Sequence, residues 1–197
     1  MSKAEKTKEF IIQKSAPIFN MKGYAGTSLS DIITVTGLTK GSIYGNFKNK
    51  DEVAIAVYKY NFNGLRKRIA ESLEEKNSYY DKLIAHVDYY RLNWKQICER
   101  GGCPILNASI EADDNLSFLK NHVQDSIKTW TKDLNHIIEQ GQKTKEFKAS
   151  VDPLEYAYTI ITLLEGGVML LKIMNNKKLL FSALDRIVFI INTELKK

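Results

Sequence analysis

Eleven glycines and three prolines are all that punctuate these 197 residues, about 7% of positions where an average chain has nearer 12%. So few breakers do not supply the turn every 8–12 residues that a β-sandwich demands, so the chain is committed to long helices. The 44% apolar and 26% charged fractions are those of a globular protein, and the length suffices for a sizeable core. Two cysteines, Cys98 and Cys103, exclude a disulfide framework and a cysteine-based zinc ribbon. The start MSKAEKTKEF lacks the apolar centre of a secretory leader. The most apolar stretch, 156–171, is interrupted by Glu165, Gly166 and Gly167 and falls short of the ~20 residues a bilayer span needs. A cytoplasmic protein without a membrane partner is expected.

Apolar periodicity divides the chain into about nine helices, an all-α fold. Residues 3–22 place Ile11, Ile12, Ser15, Ile18 and Phe19 on one face, with a bend at Pro17 and a stop at Gly23. Ser28 caps a short helix with Asp31 three residues on, and Gly37 ends it. Thr39 opens another. Asn49 and Glu52 form a capping-box pattern for a helix over 50–76. Further helices are predicted over 78–100, closed by Gly101-Gly102, over 104–112 behind Cys103-Pro104, and over 115–140. A loop at 141–151 leads to Asp152-Pro153, a cap followed by an N1 proline, and helices over 152–174 and 178–196 complete the chain.

Charge is uneven. Residues 1–50 hold eight lysines against three acids, whereas 51–197 hold 21 basic and 20 acidic residues. A basic first quarter suits a module that meets a polyanion, and equally a solvated lysine-rich start. The segment 28–47, SLSDIITVTGLTKGSIYGNF, contains two helices too short to be stable alone. A helix-turn-helix braced by the helix 3–22 accounts for them, with Leu29, Ile32, Ile33, Leu38, Ile43 and Phe47 as its small core. Thr39, Lys40, Gly41, Ser42, Tyr44, Gly45 and Asn46 are then left outside. That rim is small, polar and basic, with no carboxylate to repel phosphate, as a major-groove reader requires. A structural helical hairpin is the alternative reading of the same pattern.

Gly23-Tyr24, Thr27-Ser28, Asp31-Ile32, the run Gly37 to Tyr44, and Phe47 to Glu52 together resemble the N-terminal signature of TetR-family transcriptional repressors, over about residues 9–58 without gaps. Gly102-Cys103-Pro104-Ile105-Leu106-Asn107 is similar to a motif of one branch of that family. The resemblance implies a DNA-reading domain at 1–49 and a helical effector-binding and dimerisation domain at 50–197. It further implies a homodimer on double-stranded, palindromic operator DNA, released by a small-molecule effector. By position, Thr27 and Ser28 match residues that hold phosphate at a helix N-terminus. Tyr44 matches a phosphate-reaching tyrosine and Lys50 a backbone-contacting lysine, while Thr39, Lys40 and Ser42 match the recognition edge. Gly45-Asn46 departs from the large or polar residue and histidine common there. Asn46 suits either a bidentate contact to adenine or the cap of its own helix.

Beyond residue 50, Leu163, Leu164, Val168, Leu170 and Leu171, with Leu180, Leu184, Ile187, Val188 and Ile191, exceed the needs of one helix face. They suit a four-helix dimer seam or an intramolecular core. Gly166-Gly167 suits close helix packing or room for a ligand. Tyr89, Tyr90, Trp94, Phe118, Trp130, Tyr156 and Tyr158 are candidates to line an apolar pocket with polar handles, although such aromatics equally form core. Glu165, within an apolar run, is a candidate contact for a cationic effector or for a lysine across a helix interface. Cys103 near a helix start is either an electrophile sensor or inert. His86, His122 and His136 are too dispersed for a metal site. No catalytic set and no cofactor motif is present, so no enzymatic activity is expected. The rivals are a helical small-molecule-binding protein or enzyme without DNA affinity, and a protein-interaction bundle whose lysines are solvated surface.

Overall fold

The computed structural model describes residues 2–197. Among them are ten α-helices, with a π-helical turn closing the last and no named strand. The helices are α1 (Lys3–Lys22), α2 (Leu29–Thr36), α3 (Lys40–Tyr44), α4 (Lys50–Leu73), α5 (Tyr79–Leu92), α6 (Trp94–Glu99), α7 (Pro104–Asp114), α8 (Ser117–Lys143), α9 (Pro153–Met174) and α10 (Lys177–Ile190), followed by the turn Ile191–Leu195. The additional helix arises where one was expected over 78–100. Asn93 turns its amide onto the Tyr89 carbonyl at 2.8 Å and separates α5 from α6. α8 runs three residues past its expected end, and within the expected loop Phe147 pairs with Lys196 in an isolated antiparallel bridge.

Two compact units divide the chain: residues 2–65 with 100–126, and 66–99 with 127–197. The sequence boundary at 49/50 differs from this grouping because Val53, Ala54, Val57 and Tyr58 of α4 are wholly buried with the first three helices. In this first unit α1 packs on α2, and α2 on α3. Its core is Ile11, Phe19, Tyr24, Ile32, Ile43, Phe47, Val53 and Val57. Leu29, Ile33 and Leu38, expected in that core, are only half-buried, since a helix as short as α2 turns one narrow side inward and Leu38 lies in the turn that follows it. Tyr24 lies between Phe19 and Tyr58, with ring centroids 5.6 and 6.1 Å away.

In the second unit α10 packs along α9 and against α5. A Cβ added at Gly167 would stand 3.0 Å from a Leu180 methyl and 3.1 Å from the Ala183 Cβ, so this glycine lets α9 and α10 touch. Nothing crowds Gly166. Leu164, Val168, Leu171, Leu180, Leu184, Ile187 and Ile191 lie inside the unit, Leu163 and Val188 are half-buried, and Leu170 is exposed. Most of the expected seam is therefore protomer core. The outer side of α9 instead carries Leu154, Tyr158, Met169 and Ile173, a helical repeat of exposed apolar residues. At 22 residues α9 is by length and composition long enough to cross a membrane, which corrects the expected shortfall, and a third of its most apolar window is buried within the protein. Leu184→Ala leaves a cavity in the core of this unit, where Leu184 is fully buried, and is expected to lower stability by about 2–5 kcal/mol, measurable by urea denaturation.

Candidate nucleic-acid interface and effector region

The rim rests on a chain of caps. Ser28 Oγ accepts from the Asp31 amide at 3.1 Å, and Asp31 accepts from the Ser28 amide at 2.8 Å, closing the expected capping box. Lys22 donates to the other Asp31 oxygen at 2.8 Å. That bond, and those from Ser28, hold the carboxyl down at about 2. Gly37, left-handed at φ 68°, ends α2 and returns its N–H to Ile33. Thr39 Oγ1 then caps α3 by accepting from the Ser42 amide at 3.2 Å. In the box at α4 the Glu52 amide reaches Asn49 Oδ1 at 2.9 Å, but the Glu52 carboxylate takes the Lys48 amide rather than that of Asn49.

With α3 so placed, only Ile43 of its five residues is buried. Thr39, Lys40, Gly41, Tyr44 and Gly45 are exposed and Ser42 half-buried, so these expected residues form one continuous outer surface. Ser28 is exposed at the start of α2. Three others are committed within the protein. Thr27 is fully buried and its hydroxyl donates to Gly23 at 2.7 Å. The Asn46 amide donates to the Ser42 carbonyl at 2.9 Å, the helix-capping role rather than a free edge for adenine. The Lys50 ammonium bridges the carbonyls of Thr27 at 2.9 Å and of Tyr24 and Ala25 at 3.4 Å. Sequence reasoning missed Glu111, whose carboxylate accepts from the Tyr24 and Ala25 amides at 2.9 and 2.6 Å. No local pattern signals a partner 87 residues away.

In the second unit the structure gathers part of the expected aromatic set. The Trp130 indole donates to His86 Nε2 at 3.2 Å and stacks on that ring at 6.3 Å. Tyr90 lies 6.2 Å from His86, Tyr89 stands edge-on to Tyr90, and Arg68 donates to the Tyr89 hydroxyl at 3.1 Å. Trp94 lies apart beneath the Lys95 and Lys177 ammoniums. Tyr158 is 53% exposed on α9. Phe118 belongs to the first unit, and Glu165 is half-buried on α9. An open groove of about 390 Å³, lined by Ser72, Glu75, Asp81, Ile84, Asp88 and Leu92 among others, takes in Tyr89 alone of the expected residues. Cys103 is 3% exposed, and burial pushes the Cys98 thiol up. Among the described residues no three His, Cys, Asp or Glu side chains converge as a metal site.

A small reading module with a separate helical, aromatic-bearing region defines a transcriptional regulator of the helix-turn-helix class. Residues 11–57 match the model of the bacterial regulatory proteins of the tetR family, and 63–187 the tetracyclin repressor-like C-terminal domain. The chain belongs to the TetR family of transcriptional regulators. A TetR-family regulator from Cytophaga hutchinsonii superposes with a TM-score of 0.95 at 36% identity, covering 100% of this chain and 98% of that one. One from Chloroflexus aurantiacus gives 0.91 at 34%, covering 100% and 99%. The transcriptional repressor NemR of Escherichia coli is 24% identical over 95% of this chain and 94% of its own.

His86 supplies a test of the aromatic cluster. Burial holds its imidazole at about 4 against an ordinary 6.5. Between those values the unfolded chain takes up a proton that the folded chain refuses, so stability is full above 6.5 and declines as pH falls toward 4. His86→Gln keeps an acceptor for the indole and removes the proton site. Its denaturant midpoint is expected to vary less with pH across that window than the parent's.

Proposed function

We propose that the protein is a ligand-responsive repressor that binds a palindromic operator in cytoplasmic DNA as a homodimer and leaves it when a small molecule binds the C-terminal region. The observation that carries this is the exposed, carboxylate-free surface from Thr39 to Gly45, in a module that matches the family model. Lys40, Ser42 and Tyr44 meet base edges and phosphate, and Ser28 reaches phosphate at the start of α2 only by releasing its hydroxyl from Asp31. Thr27 and Lys50 contribute by holding the α1–α2 loop beneath that contact. Lys50 matches a backbone-contacting position and reaches phosphate only by giving up loop carbonyls. In this reading 1–49 reads DNA and 50–197 senses and dimerises.

The effector region centres on Tyr89, Tyr90 and Trp130 around the neutral His86, a buried aromatic cluster that meets the open groove at Tyr89. Binding there acts on α4, a single helix from Lys50 to Leu73 that begins at the reading module. Successive major grooves lie ~34–36 Å apart, so a few ångströms of change in head spacing disfavour DNA. A coupling of about 1–3 kcal/mol suffices for such a switch.

The experiment is selection of duplexes from a randomised pool, followed by affinity measured against salt. The logarithm of the affinity is expected to fall steeply with that of salt, by ~0.9 per phosphate neutralised. Tyr44→Phe weakens every selected duplex, and Lys40→Ala reduces the salt slope by about one if Lys40 meets phosphate. A chain that selects no duplex at any salt is instead the small-molecule-binding rival. The uncovered α9 face of Leu154, Tyr158, Met169 and Ile173 is where the second copy packs. Ile173→Glu, at a residue 77% exposed, therefore converts the dimer to a folded monomer in light scattering. An unchanged mass would place the seam elsewhere.

A further inference from the structure

The motif Gly102 to Asn107 has no role in the DNA rim, yet the structure uses it against the same module. Gly101 and Gly102 adopt φ of 88° and 91°, and a Cβ at Gly101 would strike the Asn20 carbonyl at 2.7 Å. These two glycines bring the chain flush against the end of α1. Asn20 donates to the carbonyls of Arg100 and Gly102. The Asn107 amide, on α7, donates to the carbonyls of Gly101 at 2.7 Å and Asn20 at 3.0 Å. One turn further along α7, on the same side, Glu111 takes the consecutive amides of Tyr24 and Ala25. Gly23, at φ 87°, leaves room for that carboxylate, since a Cβ there would lie 2.7 Å from Glu111 Oε1.

The α1–α2 loop is therefore held on both sides, with Glu111 on the Tyr24 and Ala25 amides and Lys50 on the Tyr24, Ala25 and Thr27 carbonyls. Immediately after this loop come Thr27, locked by Gly23, and Ser28, the cap of α2. α7 lies within the part of the chain matched by the C-terminal family model, yet it shares a compact unit with the helix-turn-helix.

We propose that Asn107 and Glu111 are positioning residues for DNA recognition, fixing the α1–α2 corner so that α7 and the reading module move as one body. The inference rests on the DNA-binding reading above and goes beyond it by naming what sets the angle of the module. A carboxylate on two adjacent amides also resembles a bound phosphate. Positioning is the role the geometry favours, because Tyr24 is buried with its ring between two others and cannot turn its amide toward a duplex.

The test uses full-length protein and a duplex selected by the unaltered chain from a randomised pool, at a temperature where circular dichroism shows every variant folded. Glu111→Ala is expected to weaken binding about tenfold or more, with dimer mass unchanged. The salt slope also stays that of the parent, since no phosphate contact is removed. Glu111→Gln recovers part of the loss through its remaining acceptor, and Asn107→Ala weakens binding to an intermediate degree. Should Glu111→Ala not fold, these two carry the measurement. A carboxylate that only stabilised the fold would lower the melting temperature and leave the affinity of folded protein at the parent value, which overturns the proposal. Tighter binding by Glu111→Ala overturns it too, making Glu111 a competitor of phosphate. If the parent selects no duplex the DNA reading falls and the inference with it; if the parent binds and folded variants bind equally, the inference alone falls.

Discussion

A five-residue helix cannot hold its own shape in water, because too few hydrogen bonds follow its nucleation. Everything that α3 offers a duplex depends on burial of Ile43, which shares the core of this unit with Ile32, Phe47 and Val53. The first unit answers this with caps rather than length: Ser28 with Asp31, Thr39, Asn49 and the left-handed Gly37 each satisfy helix-end groups that a short helix has in excess. Its polar rim is rigid because the residues beneath it have few alternatives.

Where local chemistry decides, the chain is readable. The Ser28 box, the stop at Gly37 and the Asp152-Pro153 start all appear where cap rules put them, as does the division of α3 into buried Ile43 and exposed neighbours. Such features involve residues two to four apart, and the backbone groups they satisfy are fixed by the helix itself. Distant partners are not readable in this way. Thr27, Asn46 and Lys50 carry the right chemistry for DNA, yet each finds a carbonyl inside its own unit. Glu111 looks like one more surface acid until the fold delivers Tyr24 and Ala25 to it.

The apolar half shows the same limit in another form. Composition establishes that α9 and α10 have more hydrophobic surface than one face requires, but not which residues serve which contact. Gly167 decides it, because the close approach it permits at Leu180 and Ala183 sets the rotation of both helices. Leu164, Val168 and Leu171 then turn inward, leaving Tyr158, Met169 and Ile173 outside. One glycine assigns a whole face. Gly166, one residue earlier and uncrowded, has no such effect, although the two are indistinguishable in sequence.

These two regions expose different chemistry for related reasons. The first unit keeps its donors ordered by setting three of its acids on its own amides and a lysine, Asp31 on Ser28 and Lys22, Glu52 on Lys48, Glu111 on Tyr24 and Ala25. Accepting these bonds orders the helix ends, and the stretch from Thr39 to Gly45 itself carries no carboxylate. The outer side of α9 instead leaves Tyr158 and Ile173 uncovered. The reading module is thus an electrostatic construction on a small hydrophobic base. The C-terminal helices reverse that balance, with burial in the core fixing which apolar residues remain exposed.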